Sequence, residues 1–463
     1  MLFVPLGKTE AIGANCYFLL IAGTGLLLDA GADPEEEGPD SLPDFAAIRQ
    51  RSDWYVDHAV ITHAHHDHIG ALPVLIQNFP HVFVHMTRAT RDLADVVLPA
   101  SARLQQRRLR EGSSIHDPLF SEDELEVYSY LYLTHELGED FDLTGLRGQS
   151  RISGRFYSAG HVLGSAGVLI SYEEDGHPRR IFYTSDTNLR PQSIIPGGEY
   201  PDPPIDVLIL ESTLGADPDA ELTTRRTEER KFEEALARVL DRGGTVLIPV
   251  FALGRAQEIL ALIHRFKKRG RIPEDVPVYT AGAMRAFAEL YDKTRFNTPR
   301  LDPDFQVYDV DQFRLPRMRE ALLKSLRGPS IHVASSGMML ERTNSNRLAQ
   351  DLIEDEKNAV LLVGFSREDA PAGRLLRAAE EGTDVILDPL RGPQPVRCKV
   401  QRFRFSGHSH RRDLLQLVER LKPKTVALVH GEDEAKRWMA NNIQFFYPDI
   451  NIVVPGAGEP VTL

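Results

Sequence analysis

The sequence predicts an α/β protein: a strand-rich part with mixed sheets, and a second part built on a parallel sheet. Three observations predict it. The chain has 463 residues, more than one ordinary core accommodates, so two domains or one domain with a large insertion is expected. Short apolar runs bounded by Gly and Asn turns fill residues 1–85 and return after about residue 150. From about residue 216 strands alternate with helices, the pattern of parallel strands joined by crossover helices.

The elements follow in order. The opening "MLFVPLGKTEAIGANCYFLLIAGTGLLLDAG" reads as strand, turn, strand, strand, and "HAVITHAHHDHIG" and "HVFVHM" continue the pattern. Residues 86–150 have helical spacing in "RDLADVVLPASARLQQRRLREG" and "SEDELEVYSYLYLTHEL". Strands resume in "RISGRFYSAGHVLGSAGVLISYEE" and "RIFYTSDTN", and "DVLILEST" is a buried strand closed by Gly215. The charged helix "TTRRTEERKFEEALARVLDRG" then leads to the strand "GTVLIPVF" and the helix "GRAQEILALIHRFKKRG". "VPVYTAG", "PSIHVASSGMM" and "NAVLLVGFS" are further strands with helices between them. After about residue 393 come "QPVRCKVQRFRFSGHSH", the helix "RRDLLQLVERLKP" and the strand "KTVALVHGE". No internal repeat or low-complexity tract interrupts the series.

Composition narrows the class. Hydrophobic residues at 42% and charged residues at 26% belong to a folded globular chain. No apolar run approaches the length of a membrane span, and the N-terminus has neither a basic segment nor a small-residue cleavage site. A cytoplasmic protein with no membrane partner is expected. The two cysteines, Cys16 and Cys398, make neither a disulfide framework nor a thiolate metal cluster, and read as buried small residues. A net charge of −13 argues against nonspecific nucleic-acid binding over the whole surface but leaves room for a basic groove. Arginine outnumbers lysine 43 to 11, which suits bidentate phosphate contacts, though base composition explains it as well.

The chemistry concentrates in His63-Ala-His-His-Asp-His68, which spends four of the 16 histidines on six residues. His63 and His65 are two apart, so on extended backbone both imidazoles project to one face and can reach one ion. Asp67 and His68 follow in the turn and offer a mixed oxygen and nitrogen pair to a second ion. Imidazole and carboxylate ligands without thiolates favour zinc. Four residues cannot complete two coordination spheres, so further ligands are expected at strand ends. His161 lies between glycines in "AGHVLGSAG", Asp186 ends the apolar strand of "YTSDTN", and His430 ends the strand of "LVHGE". Taken singly, each also reads as a loop residue bonded to backbone.

"LLLDAG", "THAHHDHIGALP", "AGHVLGSAG" and "SDTN", in that order, resemble the successive motifs of the metallo-β-lactamase fold. "LILESTLG" resembles motif A of the β-CASP nucleases, "PVFALGRAQEIL" and "ASSGMML" their inner domain, and "FRFSGHSH" and "LKPKTVALVHGE" their motifs B and C. The resemblance implies an αββα sandwich with an inserted parallel-sheet domain: residues 1–208 and 393–463 for the sandwich, 209–392 for the insertion. It implies two Zn²⁺, one held by His63, His65 and His161, the other by Asp67, His68 and His430, with Asp186 bridging and Asp29 orienting the histidine motif. His66 is then a spacer.

It further implies a zinc-dependent ribonuclease of the kind that includes ribonuclease J and the cleavage-and-polyadenylation nucleases, acting on single-stranded RNA. Two zinc ions activate water near neutral pH and stabilise in-line displacement at phosphorus. Asp67 is the expected acceptor of the water proton, and His408, oriented by Glu211, the donor to the leaving oxygen. The competing reading of Glu211 is a buried carboxylate paired with arginine. His410, where relatives often have Asp, is a second phosphate contact or a solvent-facing residue. Ser335, Ser336 and Gly337, with Ser406 and Arg255, are candidate phosphate contacts. A tight packing turn is as good a reading for the first three, and a structural ion pair for Arg255 and the similar Arg374. The motifs depart from the family in three places: Leu214 replaces an aromatic, "ERTNSNR" stands where Gly-Gly-Pro is usual, and "DAPAGR" where Gly-Thr precedes Gly-Arg. These put the substrate in question rather than the hydrolysis. The alternatives are a DNA-processing β-CASP nuclease, a metallo-β-lactamase-fold hydrolase of a small ester or thioester, and a scaffold that has lost its ligands. The last conflicts with the presence of all seven. Cleavage mode and oligomeric state are not legible.

Overall fold

The computed structural model describes residues 1–10, 13–364 and 367–463. Parts of two expected strand regions, Ala11 and Ile12 in "TEAIGANCYF" and Phe365 and Ser366 in "NAVLLVGFS", lie outside the described residues. The chain divides into two compact units, one of residues 1–191, 195–221 and 408–463, the other of 192–194 and 222–407.

Within the first unit, among the described residues, two seven-stranded sheets face each other. The first runs, in spatial order, Val461–Thr462, Leu2–Pro5, Tyr17–Ile21, Thr24–Leu28, His58–Val60, Phe83–Thr87 and Tyr132–His135. The second runs Asn451–Val453, Thr425–Val429, Val207–Glu211, His177–Tyr183, Ala166–Glu174, Ser153–Ser158 and Asp140–Asp142. Alternation along each strand assigns the faces. In Thr24–Leu28, Leu26 and Leu28 join Val60, Phe156, Ile170, Tyr183, Ile209 and Ala427 in the core between the sheets. Leu27 points the other way, into a core with Leu72, Leu75, Leu98 and Leu125. That outer core is covered by helices Leu72–Asn78, Arg88–Arg110 and Glu122–Tyr128. Helices Arg411–Leu421 and Asp433–Phe446 cover the second sheet through Leu414, Leu417, Met439 and Ile443. The layers are therefore helix, sheet, sheet, helix.

One expected helix is shorter than the sequence suggests. "SEDELEVYSYLYLTHEL" starts as a helix, with the Ser121–Glu124 capping box, but the helix stops at Tyr128. Tyr132–His135 is a strand, parallel to Phe83–Thr87. The run Tyr-Leu-Tyr-Leu-Thr-His is rich in aromatic and β-branched strand formers, and an open sheet edge beside Phe83–Thr87 outweighs the helical spacing.

The second unit holds a six-stranded sheet in the order Gln312–Arg314, Val278–Thr280, Ser330–Ala334, Thr245–Pro249, Ala359–Leu362, Lys399–Arg402. Every pair is parallel. Buried on both faces, its central strands read as unbroken apolar runs. The compact unit spans 222–407, where the sequence alone suggested 209–392. Pairing sets both limits: Val207–Glu211 lies beside Thr425–Val429 in the first unit, and Lys399–Arg402 adds the edge strand of the parallel sheet.

Candidate metal centre

All seven expected ligand positions follow strand ends of the sandwich, and the backbone there is bent to present them. His63 follows His58–Val60, and Asp67 and His68 lie on a single helical turn, His66–Ile69, rather than in an open turn. Gly31 permits this turn to sit close, because a Cβ there would overlap the Asp67 carbonyl at 1.7 Å. His161 follows Ser153–Ser158 beside Gly160, whose φ is 72°. Asp186 follows His177–Tyr183 after Ser185, whose φ is 52°, and His430 follows Thr425–Val429 with φ 47°. Left-handed backbone at Ser185 and His430 is a local cost tolerated where surrounding bonds hold the conformation.

The side chains converge in two sets. His63 Nε2 and His161 Nε2 lie 3.2 and 3.1 Å from His65 Nδ1, and 3.6 and 3.5 Å from Asp186 Oδ2. On the other side of Asp186, its Oδ1 lies 3.3 Å from His68 Nε2 and 3.1 Å from His430 Nδ1. Asp67 Oδ2 is 3.7 Å from His68 Nε2 and 3.4 Å from His430 Nε2. Each set brings its ligand atoms within 4.8 Å of one another, so each could hold an ion, and Asp186 turns one oxygen to each set.

The residues fit metal ions. Among the described residues, buried Asp186 Oδ1 meets only the ring nitrogens of His68 and His430, at 3.3 and 3.1 Å, without a well-formed hydrogen bond, a setting that a cation would satisfy. Ring nitrogens face each other across 3.1–3.2 Å, an arrangement that a shared cation relieves. The donor set is nitrogen and oxygen without sulfur, as zinc accepts. Charge is already arranged for this. Burial alone would raise the Asp186 carboxyl, yet His430, His68 and His408 hold it well below the usual carboxylate range. Burial would lower His68, but Asp186, Asp29 and Asp67 push it well above the usual imidazole value. His63, where burial and the His68 charge act together, is pushed well below it.

Asp29 carries the expected orienting geometry. Its Oδ1 accepts from Thr62 N and Thr62 Oγ1 at 2.8 Å each, and its Oδ2 lies 2.8 Å from His68 Nδ1. Tyr183 OH donates to the same Oδ2 at 2.8 Å. Asn15 Nδ2 donates to the Asp67 carbonyl at 3.0 Å and lies 3.1 Å from His68 Nε2, while Tyr17 OH donates to Asn15 Oδ1. Neither Tyr183 nor Asn15 is legible in the sequence as part of a site. The local signal is that Asn15 stands two residues before the strand Tyr17–Ile21.

His408 stands beside the first set. Its Nδ1 is 3.2 and 3.1 Å from the two oxygens of Glu211, and its Nε2 is 4.0 Å from Asp186 Oδ2. Burial works to lower it, but Glu211 and Asp186 dominate and raise it to about 9. Glu211 also accepts from Thr187 N at 2.7 Å and Thr213 N at 3.3 Å. It is thus held by an imidazole and by backbone N–H groups, where the competing reading placed an arginine.

Comparison with known proteins agrees with this arrangement. Residues 10–177 match the metallo-β-lactamase superfamily, 256–375 the β-CASP domain, and 393–455 the Zn-dependent metallo-hydrolase RNA specificity domain. The chain is 30% identical to the RNase J-like protein of Methanocaldococcus jannaschii, over 92% of this chain and 91% of that one. It belongs to the β-CASP branch of the metallo-β-lactamase superfamily.

Two other β-CASP relatives are the Integrator complex subunit 11 of Gallus gallus and the cleavage and polyadenylation specificity factor 73 of Drosophila melanogaster. Identity to the first is 26%, over 99% of this chain and 73% of the relative. Identity to the second is 30%, over 92% of this chain and 59% of the relative, so the chain spans little more than half of that factor. A crystal structure of a protein of unknown function from Enterococcus faecalis V583 shares the fold, with a TM-score of 0.55 at 14% identity over 100% of this chain and 99% of that one.

The expected phosphate contacts of this β-CASP chain share one edge of the parallel sheet. Arg255 opens helix Arg255–Lys268 after Thr245–Pro249, Ser335–Gly337 follow Ser330–Ala334, and Ser406 follows Lys399–Arg402. Ligands of open parallel sheets bind outside that carboxyl edge. Arg255 Nη1 is buried there without a hydrogen-bond partner among the described residues, and burial lowers its guanidinium to about 10. Ser336 has packing duties: its Oγ accepts from Leu340 N at 3.0 Å and its carbonyl accepts from Ser345 Oγ at 2.7 Å. Gly337 lies against the Phe251 ring, where a Cβ would sit 3.1 Å away. Arg374 Nη2 donates to the Ile386 carbonyl at 3.4 Å. His410 is the N-cap of helix Arg411–Leu421, accepting from Asp413 N at 3.4 Å, with its Nε2 3.2 Å from Asp413 Oδ2. It fills a capping position for which Asp is a better residue. His66 belongs to neither ligand set.

Proposed function

We propose that this chain is a two-zinc ribonuclease that hydrolyses single-stranded RNA in the cytoplasm. The observation that carries the reading is Asp186, a buried carboxylate with one oxygen toward each of two ligand sets. His63, His65 and His161 would hold one Zn²⁺, Asp67, His68 and His430 the other, and Asp186 would bridge them. Bound there, the pair would supply a water of lowered pKa and neutralise charge at phosphorus. The match to an RNA specificity domain and the RNase J-like relative favour RNA as substrate.

The chain's own groups handle the protons. Asp67, itself a member of the second set, takes the proton of the attacking water. His408, held by Glu211 with Nδ1 toward the carboxylate, keeps Nε2 turned toward Asp186 and the space in front of it. It gives its proton to the leaving 3′-oxygen as the P–O bond breaks, leaving a 5′-phosphate and a 3′-hydroxyl. The Glu211 carboxylate beside Nδ1 works to raise His408 and so favours the protonated form that a donor needs.

The test is one labelled strand offered as RNA and as DNA, beside a thioester. Cleavage of RNA in preference to both is expected. Hydrolysis of the thioester alone would sink the reading, and preference for the DNA strand would move the chain to the DNA-processing alternative. Labels at the 5′ and 3′ ends of the RNA report the direction of cleavage in the same assay.

A further inference from the structure

We infer that Thr213 is a positioning residue for His430, and that Glu211-Ser212-Thr213 as a unit holds both functional histidines that return to the sandwich late in the chain. The inference rests on the two-zinc reading. Glu211 holds His408 through Nδ1. Two residues on, Thr213 Oγ1 lies 2.9 Å from His430 Nδ1. Ser212 between them donates from Oγ to the Val429 carbonyl at 2.8 Å and from its backbone N to the His430 carbonyl at 3.0 Å. Gly431 packs directly on Ser212, where a Cβ would come within 2.9 Å of its backbone. A single tripeptide at the end of Val207–Glu211 therefore grips the neighbouring strand end and the two imidazoles.

The Thr213 contact decides which His430 nitrogen is available. A neutral imidazole has one N–H and one lone pair. The Thr213 hydroxyl hydrogen has an acceptor in the His430 carbonyl at 3.4 Å, which leaves the oxygen lone pairs to accept from Nδ1–H. Nε2, which faces Asp67 Oδ2 at 3.4 Å, then carries the lone pair toward the Asp67 and His68 set. Asp186 Oδ1 also faces Nδ1, at 3.1 Å, but that oxygen is turned to His68 Nε2 as well and would be occupied in bridging. The hydroxyl remains as the partner with no other ligand duty. His430 holds left-handed backbone, with φ 47°, a conformation that surrounding contacts keep in place. Partners of this type fix a ligating histidine's tautomer and orientation, and their loss commonly weakens metal binding about 10- to 100-fold.

The test compares wild type, Thr213→Val and Thr213→Ser. Valine keeps the shape and removes the hydroxyl, whereas serine keeps the hydroxyl. Each full-length protein is loaded with zinc and dialysed against a series of chelator concentrations, and retained zinc per chain is measured. Wild type and T213S should hold two zinc ions to the same chelator concentration, while T213V gives up one of them at a concentration about 10- to 100-fold lower. Retention of both ions by T213V at the wild-type concentration would overturn the inference and leave the two-zinc reading standing. Early loss by T213S equal to that of T213V would also overturn it, since the hydroxyl would then not be the active group. A wild type that binds no zinc would defeat the two-zinc reading itself, and the inference with it.

Discussion

At the scale of single residues, the proposed roles of Asp186 and His408 lead to different expectations. Asp186 has one oxygen on each ligand set and, among the described residues, no well-formed hydrogen bond at Oδ1, so its removal should empty the centre rather than merely loosen it. Asp186→Ala is expected to abolish RNA cleavage while circular dichroism and the melting profile of the metal-free protein stay close to wild type. Retained cleavage in that variant would contradict the bridging role. His408 lies 4.0 Å from Asp186 Oδ2 and its ring packs 4.6 Å from that of His161, but its hydrogen bond is to Glu211. His408→Ala should therefore lower kcat by about 10²- to 10⁴-fold, the usual range for a positioned proton donor, with zinc content unchanged. Loss of a whole zinc from the variant would show that His408 is a ligand instead.

At the scale of elements, three neighbouring strands are joined by a row of imidazoles away from the metal centre. His58 Nδ1 lies 3.0 Å from His85 Nε2, and His85 Nδ1 lies 2.9 Å from His135 Nε2. The Thr144 carbonyl, 3.3 Å from His58 Nε2, can only accept, so all three rings adopt the Nε2–H tautomer in one direction. Phe141 stacks on His85 and His135, Phe83 on His58, and Phe156 lies against His135. Asp57, Asp142 and Glu139 pull the rings upward, but burial prevails and His85 falls to about 3, with its two imidazole neighbours adding to the fall. The sign follows from linkage. Neutral in the fold, His85 takes up a proton below 6.5 only on unfolding, so its contribution is intact above 6.5 and is lost as pH falls toward 3. Between pH 7 and pH 5 wild type should lose about 2 kcal/mol more stability than His85→Leu, read from denaturant melts at the two values. Parallel losses in the two proteins would refute a neutral, buried His85.

Elements also mark where the sequence is hard to read. His63 to His68 are legible because one short segment carries four donors, and His161, Asp186 and His430 because each stands alone at a strand end. The strand Tyr132–His135 is not legible, since its register is decided by Phe83–Thr87, some fifty residues earlier and open to a new edge. Thr213, Asn15 and Tyr183 escape for a related reason. Each is an ordinary turn or strand residue whose meaning comes from a partner 217, 53 or 154 residues away. Spacing within a segment carries no record of such pairs. The limits of the inserted unit, 222 and 407, are likewise set by which sheet a strand joins, and apolar strands look alike whichever sheet receives them.

At the scale of the whole molecule, the two ligand sets draw on residues 63 through 430, and the strand that delivers His430 pairs with the strand that ends at Glu211. The order of motifs along the chain is what made the family legible, more than any one of them. The altered segments, Leu214 and the stretches around 341–347 and 369–374, lie outside both ligand sets, which leaves substrate and cleavage mode, rather than the hydrolytic chemistry, as what they put in question. The central claim is that two zinc ions, held by seven side chains, cleave RNA. Titrating zinc into the metal-free full-length protein while following cleavage of an end-labelled single-stranded RNA tests it most directly. The account predicts activity that rises and saturates at two equivalents of zinc per chain. Saturation at one equivalent, or no cleavage at any zinc concentration, would contradict it.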